Sequence, residues 1–366
     1  MATVADILAA VDRLAPFALA ESWDNVGLLL GDAAWPVRRV LVSLDVSEAA
    51  SAEAERVGAE ALLAHHPLFF KDIDRLTAET REGRLALGLL CGRRAVIAAH
   101  TNLDAAEGGL CDLLAAAVGL EAVRPLRPEP AAKRYKVVVF TPQQDLEAVQ
   151  AAAFGAGAGR IGNYRECSFS GEGEGTFLPG EGAEPMVGAK GRRNTVPERR
   201  LEFVVDDARL GCVLAAVGRA HSYEEPAIDV YPLRVGTLRS GMGRVGRLPQ
   251  ATAAGEFARK VKAALGAGAV GFAGDARRLV ERVAVVSGGG GGLAGAVAAA
   301  DCQAFVTGEL KHHEIEALAA DGIAVILGGH YRTERAPLEA WARRLANEVD
   351  ASVVMSEAEC EPLRPL

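Results

Sequence analysis

The 366-residue chain is short of cysteine, of surplus basic charge and of uninterrupted apolar sequence, and each shortage excludes something. Its six cysteines, at 91, 111, 167, 212, 302 and 360, are scattered with no C-x-x-C pair, so neither a zinc knuckle nor a redox pair is encoded. They read as thiols packed as small apolar side chains. Forty Lys and Arg stand against 48 Asp and Glu, a net charge of −8, whereas a polyanion binder needs basic groups in excess to neutralise phosphates. Nucleic acid is not an expected partner. The longest uncharged stretch, 283–300, has five consecutive glycines at 288–292, so it reads as a loop between two elements and not as a membrane span. Asp6 and Asp12 come early, without the basic start and apolar run of a signal peptide, which predicts a cytoplasmic protein.

Half the residues are apolar and 24% are charged, an ordinary globular balance, and the length predicts two or three domains. Short β-branched runs at 39–46, 61–64 and 95–99 alternate with helical stretches at 47–58 and 81–90, and the pattern returns at 282–286, 304–307 and 324–327. Strand and helix in alternation predict parallel sheet with helices on its faces. The middle differs. Pro125, Pro128 and Pro130 suggest a linker, followed by strands at 135–140, 201–205 and 228–231, helices at 145–154 and 209–220, and a Gly-rich segment at 171–193 of loops or edge hairpins. The expected architecture is an α/β outer domain built from both ends of the chain, 1–129 and 234–366, with an inserted α+β ferredoxin-like domain at 130–233.

Six of the seven histidines follow directly on apolar strands, in LLAHHPLFF (His65, His66), AAHTNLD (His100, Asp104), TGELKHHE (Glu309, His312, His313) and GGHYRTE (His330, Glu334). Open α/β sheets bind ligands beyond the carboxyl ends of their strands, so these clusters point to one place. Imidazole with carboxylate and no thiolate suits borderline divalent ions, zinc, iron or manganese. His65, His66, Asp104, His330 and Glu334 are enough for two ions if one carboxylate bridges. Pro337 places His330 and Glu334 on a strand-to-helix turn ahead of the regular helix. Taken singly, the residues have plainer readings: Asp104 as a helix cap, Glu334 as a first-turn acid, His312 and His313 as polar helix residues, His221 as packing or surface. The glycine run fits G-x-G-x-x-A at Gly289, Gly291 and Ala294, as any such run would, and reads equally as a tight turn or as an anion cradle.

With these segments in place, the chain resembles the dinuclear-metal-centre hexameric proteins, the NGG-interacting-factor-like family known as GTP cyclohydrolase I type 2 homologues. ESWDNVGLLLGD (Glu21 to Asp32), LLAHHPLFFK, AAHTNLDAA, GMGRVGRL (Gly241 to Leu248), TGELKHH and GGHYRTE are similar to that family's motifs and stand in its order. The segments 162–179 and 221–233 resemble the PII-like domain inserted in longer bacterial members. The resemblance implies that His65, His66, Asp104, His330 and Glu334 are the metal ligands, with Glu334 bridging. It places His100 and His313 on the same cleft, and it implies a toroidal homohexamer. Glu309 and His312 depart from the family pattern, which has Asp and usually an aromatic residue there.

The expected function is a two-metal hydrolase acting on a nucleotide or phosphoester, with His100 or His313 carrying the proton. The alternative is a non-catalytic metal-stabilised assembly whose insert binds an effector or a protein partner. A nucleotide-dependent oxidoreductase using the glycine run ranks third.

Overall fold

The computed structural model describes residues 1–129, 134–161, 164–233 and 239–363. The chain is mixed α/β and divides into two compact units, 1–131 with 237–366, and 132–236. Among its described residues the first unit holds two large sheets rather than one continuous sheet, besides a two-stranded pairing of Ala2–Thr3 with Pro36–Val37. In the first, strands run in the order Ser352–Met355, Arg39–Ser43, Ala61–Ala64, Ala95–Ala98 and Gly27–Leu30; all are parallel except the last. In the second the order is Gly271–Ala273, Ala324–Leu327, Ala304–Thr307, Leu279–Val285, Gly241–Ala253 and Glu121–Pro128, with only the middle three mutually parallel.

Each sheet takes one strand from the opposite end of the chain: Ser352–Met355 closes the first, and Glu121–Pro128 edges the second. The expected proline linker is therefore corrected in part. Pro125 and Pro128 lie in an edge strand, where a missing N–H is tolerated, and Pro130 falls outside the described residues. The central strands are buried along their length, as in Ala61–Ala64 and Ala304–Thr307, because helices cover both faces.

Two carboxylates fasten the C-terminal crossover. Glu53 accepts hydrogen bonds from Ser356 Oγ at 2.5 Å and from the amides of Glu357 and Ala358 at 3.1 Å, and Glu359 accepts from the amides of Leu44 and Asp45. Burial alone would raise the Glu53 pKa, but these donors and Arg56 hold it below 4.5. A depressed carboxyl contributes stability that is complete above its unfolded pKa and disappears as pH falls through the folded value. Glu53→Gln is therefore expected to cost about 2 kcal/mol at pH 7. Urea midpoints should show that gap closing toward pH 3; a gap independent of pH contradicts the assignment.

The second unit is a four-stranded antiparallel sheet, ordered Ile228–Leu233, Arg134–Thr141, Asn194–Asp206, Ser168–Phe177, with helices Leu146–Gly155 and Asp207–Ala220. Val137 and Val139 alternate inward with Leu201, Phe203 and Val205, and Val149 and Val213 of the helices pack on them. The Gly-rich segment is strand up to Phe177, on the sheet edge. His221 is a packing residue here: its Nε2–H donates to the Phe140 carbonyl and its Nδ1 accepts from the Tyr223 amide. Among the described residues, no helix is long and apolar enough to cross a membrane.

Candidate metal centre

The carboxyl ends of the two sheets in the first unit deliver their side chains to one cluster. His65 and His66 follow Ala61–Ala64, His100 follows Ala95–Ala98, and Asp104 sits in the short buried helix Thr101–Ala105. From the second sheet come His330 and Glu334, beyond Ala324–Leu327. Those two stand on a regular helix, His330–Leu345, and not on the turn expected from Pro337. Proline within a helix removes one donor and crowds the carbonyl four residues back, but burial of Leu338, Trp341 and Leu345 in the core offsets that local cost. The i,i+4 spacing then puts His330 and Glu334 on one face.

Each imidazole in the cluster is held at Nδ1. His65 Nδ1–H donates to the Ala99 carbonyl at 2.8 Å, His66 to Asp45 Oδ1 at 3.0 Å and His100 to Asp24 Oδ1 at 2.9 Å, while His330 Nδ1 lies 3.3 Å from Glu309 Oε1. An acceptor at Nδ1 fixes the tautomer and turns Nε2 into the potential ligand atom. The Nε2 atoms meet carboxylates. His65 Nε2 is 3.7 Å from Glu334 Oε1 and 3.8 Å from Asp104 Oδ2, His330 Nε2 is 3.1 Å from Glu334 Oε1, and His66 Nε2 is 3.3 Å from Glu334 Oε2.

The electrostatics follow from this crowding. Burial would lower the His66 pKa, yet Asp45 and Glu334 raise it to about 10; Glu334 together with Glu309 lifts His330 to about 9. Burial opposes ionisation of Glu334, but His330, His65 and His66 hold it well below the ordinary carboxyl range. Asp104, buried, is shifted upward by desolvation. Behind the ring of His100, Asp24 is held at about 2: burial is outweighed by His100 and Thr101. The cluster thus crowds imidazoles and carboxylates around a centre where a cation can compete with protons.

The donor set fits a divalent ion. His65 Nε2 is buried with no hydrogen-bond partner, its carboxylate neighbours standing 3.7 and 3.8 Å away, which is costly unless something else is coordinated. Ligand atoms of His65, His66 and His100 lie within 4.8 Å of one another, as do those of His66, His330 and Glu334. His100 therefore joins one set of ligand atoms, although the sequence reading put it outside the ligands. Asp104 reaches the cluster through His65 and is steadied by Ser287 Oγ, which donates to Oδ1 at 2.5 Å. His313 is exposed on the helix His312–Ala320, outside both sets.

Sequence reasoning missed Asp24, Asp45 and Ser287. Asp45 carried a usable signal, an acid at the carboxyl end of a strand like the others. Of the two readings that the sequence left open for the glycine run, the tight turn is the one seen. Gly288 takes φ +58°, its carbonyl accepts from the amides of Gly308 and Glu309, and an added Cβ would stand 2.1 Å from Glu334 Oε1. The run is a turn that makes room for the Glu334 carboxylate.

The fold and site together define a mixed α/β protein with a His and carboxylate cluster at converging strand ends that could hold metal, and comparison with known proteins specifies it further. The profile of the Duf34/NIF3 (NGG1p interacting factor 3) family matches residues 2–362, and the chain belongs to that family. It is 42% identical over 335 residues to the "GTP cyclohydrolase 1 type 2 homolog" of Mycobacterium tuberculosis, covering 90% of this chain and 88% of that one. To the Bacillus subtilis protein of the same name it is 36% identical over 361 residues, covering 97% and 96%. Among solved structures, a Bacillus cereus protein related to NIF3 superposes with a TM-score of 0.75 at 33% identity, covering 100% of this chain and 99% of that one. A Staphylococcus aureus protein gives 0.81 at 26% identity, with the same coverage.

Proposed function

We propose that the chain is a hydrolase with a dinuclear divalent-metal centre, acting on a nucleotide or phosphoester. The observation that carries this reading is the arrangement at Glu334: one carboxylate oxygen faces His65 and His330, the other faces His66. A carboxylate so placed suits a bridge, with Asp104 completing one side. His65, His66, Asp104, His330 and Glu334 would hold paired zinc, iron or manganese ions, whose chemistry would be to make water acidic at neutral pH and to offset negative charge at a leaving oxygen. The protein's own residues do the rest. Asp45 and Ala99 orient His66 and His65, and Ser287 orients Asp104. His100, held by Asp24, carries the proton. The name of the curated relatives favours a nucleotide substrate. The homohexamer and the cytoplasmic location belong to the same proposal.

Turnover on a panel of nucleotides and phosphoesters should vanish with chelation and return with Mn, Zn or Fe. His100→Ala should lower it about 10²-fold or more while retaining the metal. If His100→Ala loses metal as thoroughly as Asp104→Ala, His100 is a ligand and its proton role is wrong.

A second reading, an effector-regulated assembly, is favoured by one observation in the middle unit. The strand and helix order there supports a ferredoxin-like, PII-like fold. It carries a cleft of about 350 Å³ lined by Phe177, Leu178, Met186, Glu198, Tyr223 and Glu225. Burial, with Glu198, pushes the Tyr223 phenol up to about 12.

A further inference from the structure

Beside the metal centre, two large rings stand in solvent: Trp23 is 60% exposed and Phe70 is 52% exposed. Both meet the ring of His100 edge-on, with centroids 6.0 and 5.8 Å away and interplanar angles of 74° and 83°. Their exposure is not for want of order in the neighbouring chain. Asp24, adjacent to Trp23, accepts from His100 Nδ1–H and from the Thr101 amide, and Asn25 Nδ2 donates to the Phe69 carbonyl at 2.8 Å. The two loops are therefore tied to each other and to the start of the helix that bears Asp104. Aromatic surface held in water forgoes the gain of burial, so a fixed pair of such rings next to a ligand cluster calls for an occupant.

We propose that Trp23 and Phe70 form a stacking subsite for a planar heteroaromatic ring of the substrate, placing its hydrolysable group at the Glu334 cluster. The proposal rests on the metal-hydrolase reading and names the substrate class for it. A flat heterocycle suits these rings because stacking requires only a π-face and little adjustment of the protein. The segment that follows Phe70 also exposes Ile73 and Leu76, which makes a second protein chain the competing occupant.

Metal-loaded protein is titrated calorimetrically with GMP, AMP and CMP, and with ribose 5-phosphate, which keeps the phosphate but lacks the ring. The nucleotides should bind about tenfold more tightly or better, and Trp23→Ala and Phe70→Ala should each cut that advantage severalfold without altering ribose 5-phosphate binding. Trp23→Phe should keep most of it. Equal affinity for nucleotides and ribose 5-phosphate overturns the subsite, as does failure of the loaded protein to bind nucleotides or an advantage untouched in both alanine variants. A changed mass by light scattering in either alanine variant also overturns it, since the rings would then be a subunit contact. Elemental analysis of the same samples judges the metal reading separately, so failure of the subsite is distinguishable from failure of the centre.

Discussion

Glu334→Ala should empty the centre, lowering metal content from about two ions per chain to well below one, because each carboxylate oxygen faces a different imidazole or pair of imidazoles. Among the described residues no other carboxylate is placed to substitute: Asp104 lies against His65, while Asp45, Asp24 and Glu309 lie on the Nδ1 sides of His66, His100 and His330. A second variant reaches the same result with every ligand intact. Gly288→Ala places a Cβ 2.1 Å from Glu334 Oε1 and requires a left-handed backbone, so it should displace the carboxylate and release metal. Gly289→Ala is the control, since an added Cβ there meets nothing closer than Glu309 Oε1 at 3.9 Å. Elemental analysis after gel filtration reads all three. Full occupancy in Glu334→Ala would contradict the bridge.

Asp112→Ala should be the most destabilising single change away from the metal ligands. Arg244 is fully buried, and its guanidinium donates to both oxygens of Asp112, at 2.5 and 3.0 Å, and to the carbonyls of Gly241, Gly243 and Ala106 at 2.6–2.8 Å. Removing the carboxylate leaves a buried cation whose charge is no longer neutralised, at a cost of about 3–5 kcal/mol and a fall in Tm on the order of 10 °C. The contact also holds the turn just after Asp104, so reduced metal retention should accompany the loss. Arg247→Ala is the comparison: its pairing with Glu281 is exposed on both sides and should cost under about 1 kcal/mol. Equal Tm values for the two variants by calorimetry would show that the buried pair carries no special weight.

How much of this was legible beforehand depended on whether the signal was local. The strands at 61–64, 304–307 and 324–327 stand where the sequence put them, because a four-residue buried run bounded by polar residues admits little else. The convergence of His65, His66, Asp104, His330 and Glu334 was legible for the same reason, as each follows the carboxyl end of such a strand. The division into two sheets was not. It depends on which strand pairs with which, and nothing local in Ser352–Met355 or Glu121–Pro128 says that each crosses to the other end of the chain. Pro337 misled because a local cost was outweighed by burial elsewhere on the same helix. Arg244 gave no sign of its role, since a lone arginine in a glycine-rich strand reads as surface until its carbonyl partners are seen. Asp24 was visible only as part of a family motif, with its partner His100 far along the chain.

The central claim is that the Glu334 cluster holds two divalent ions. Elemental analysis of untagged protein, purified without added metal or chelator and then reloaded with Zn, Mn or Fe, tests it most directly. The account predicts saturation at about two ions per chain, falling sharply in Glu334→Ala and His66→Ala and unchanged in the exposed control His312→Ala. Saturation below one ion per chain, or uptake indifferent to Glu334 and His66, would contradict it.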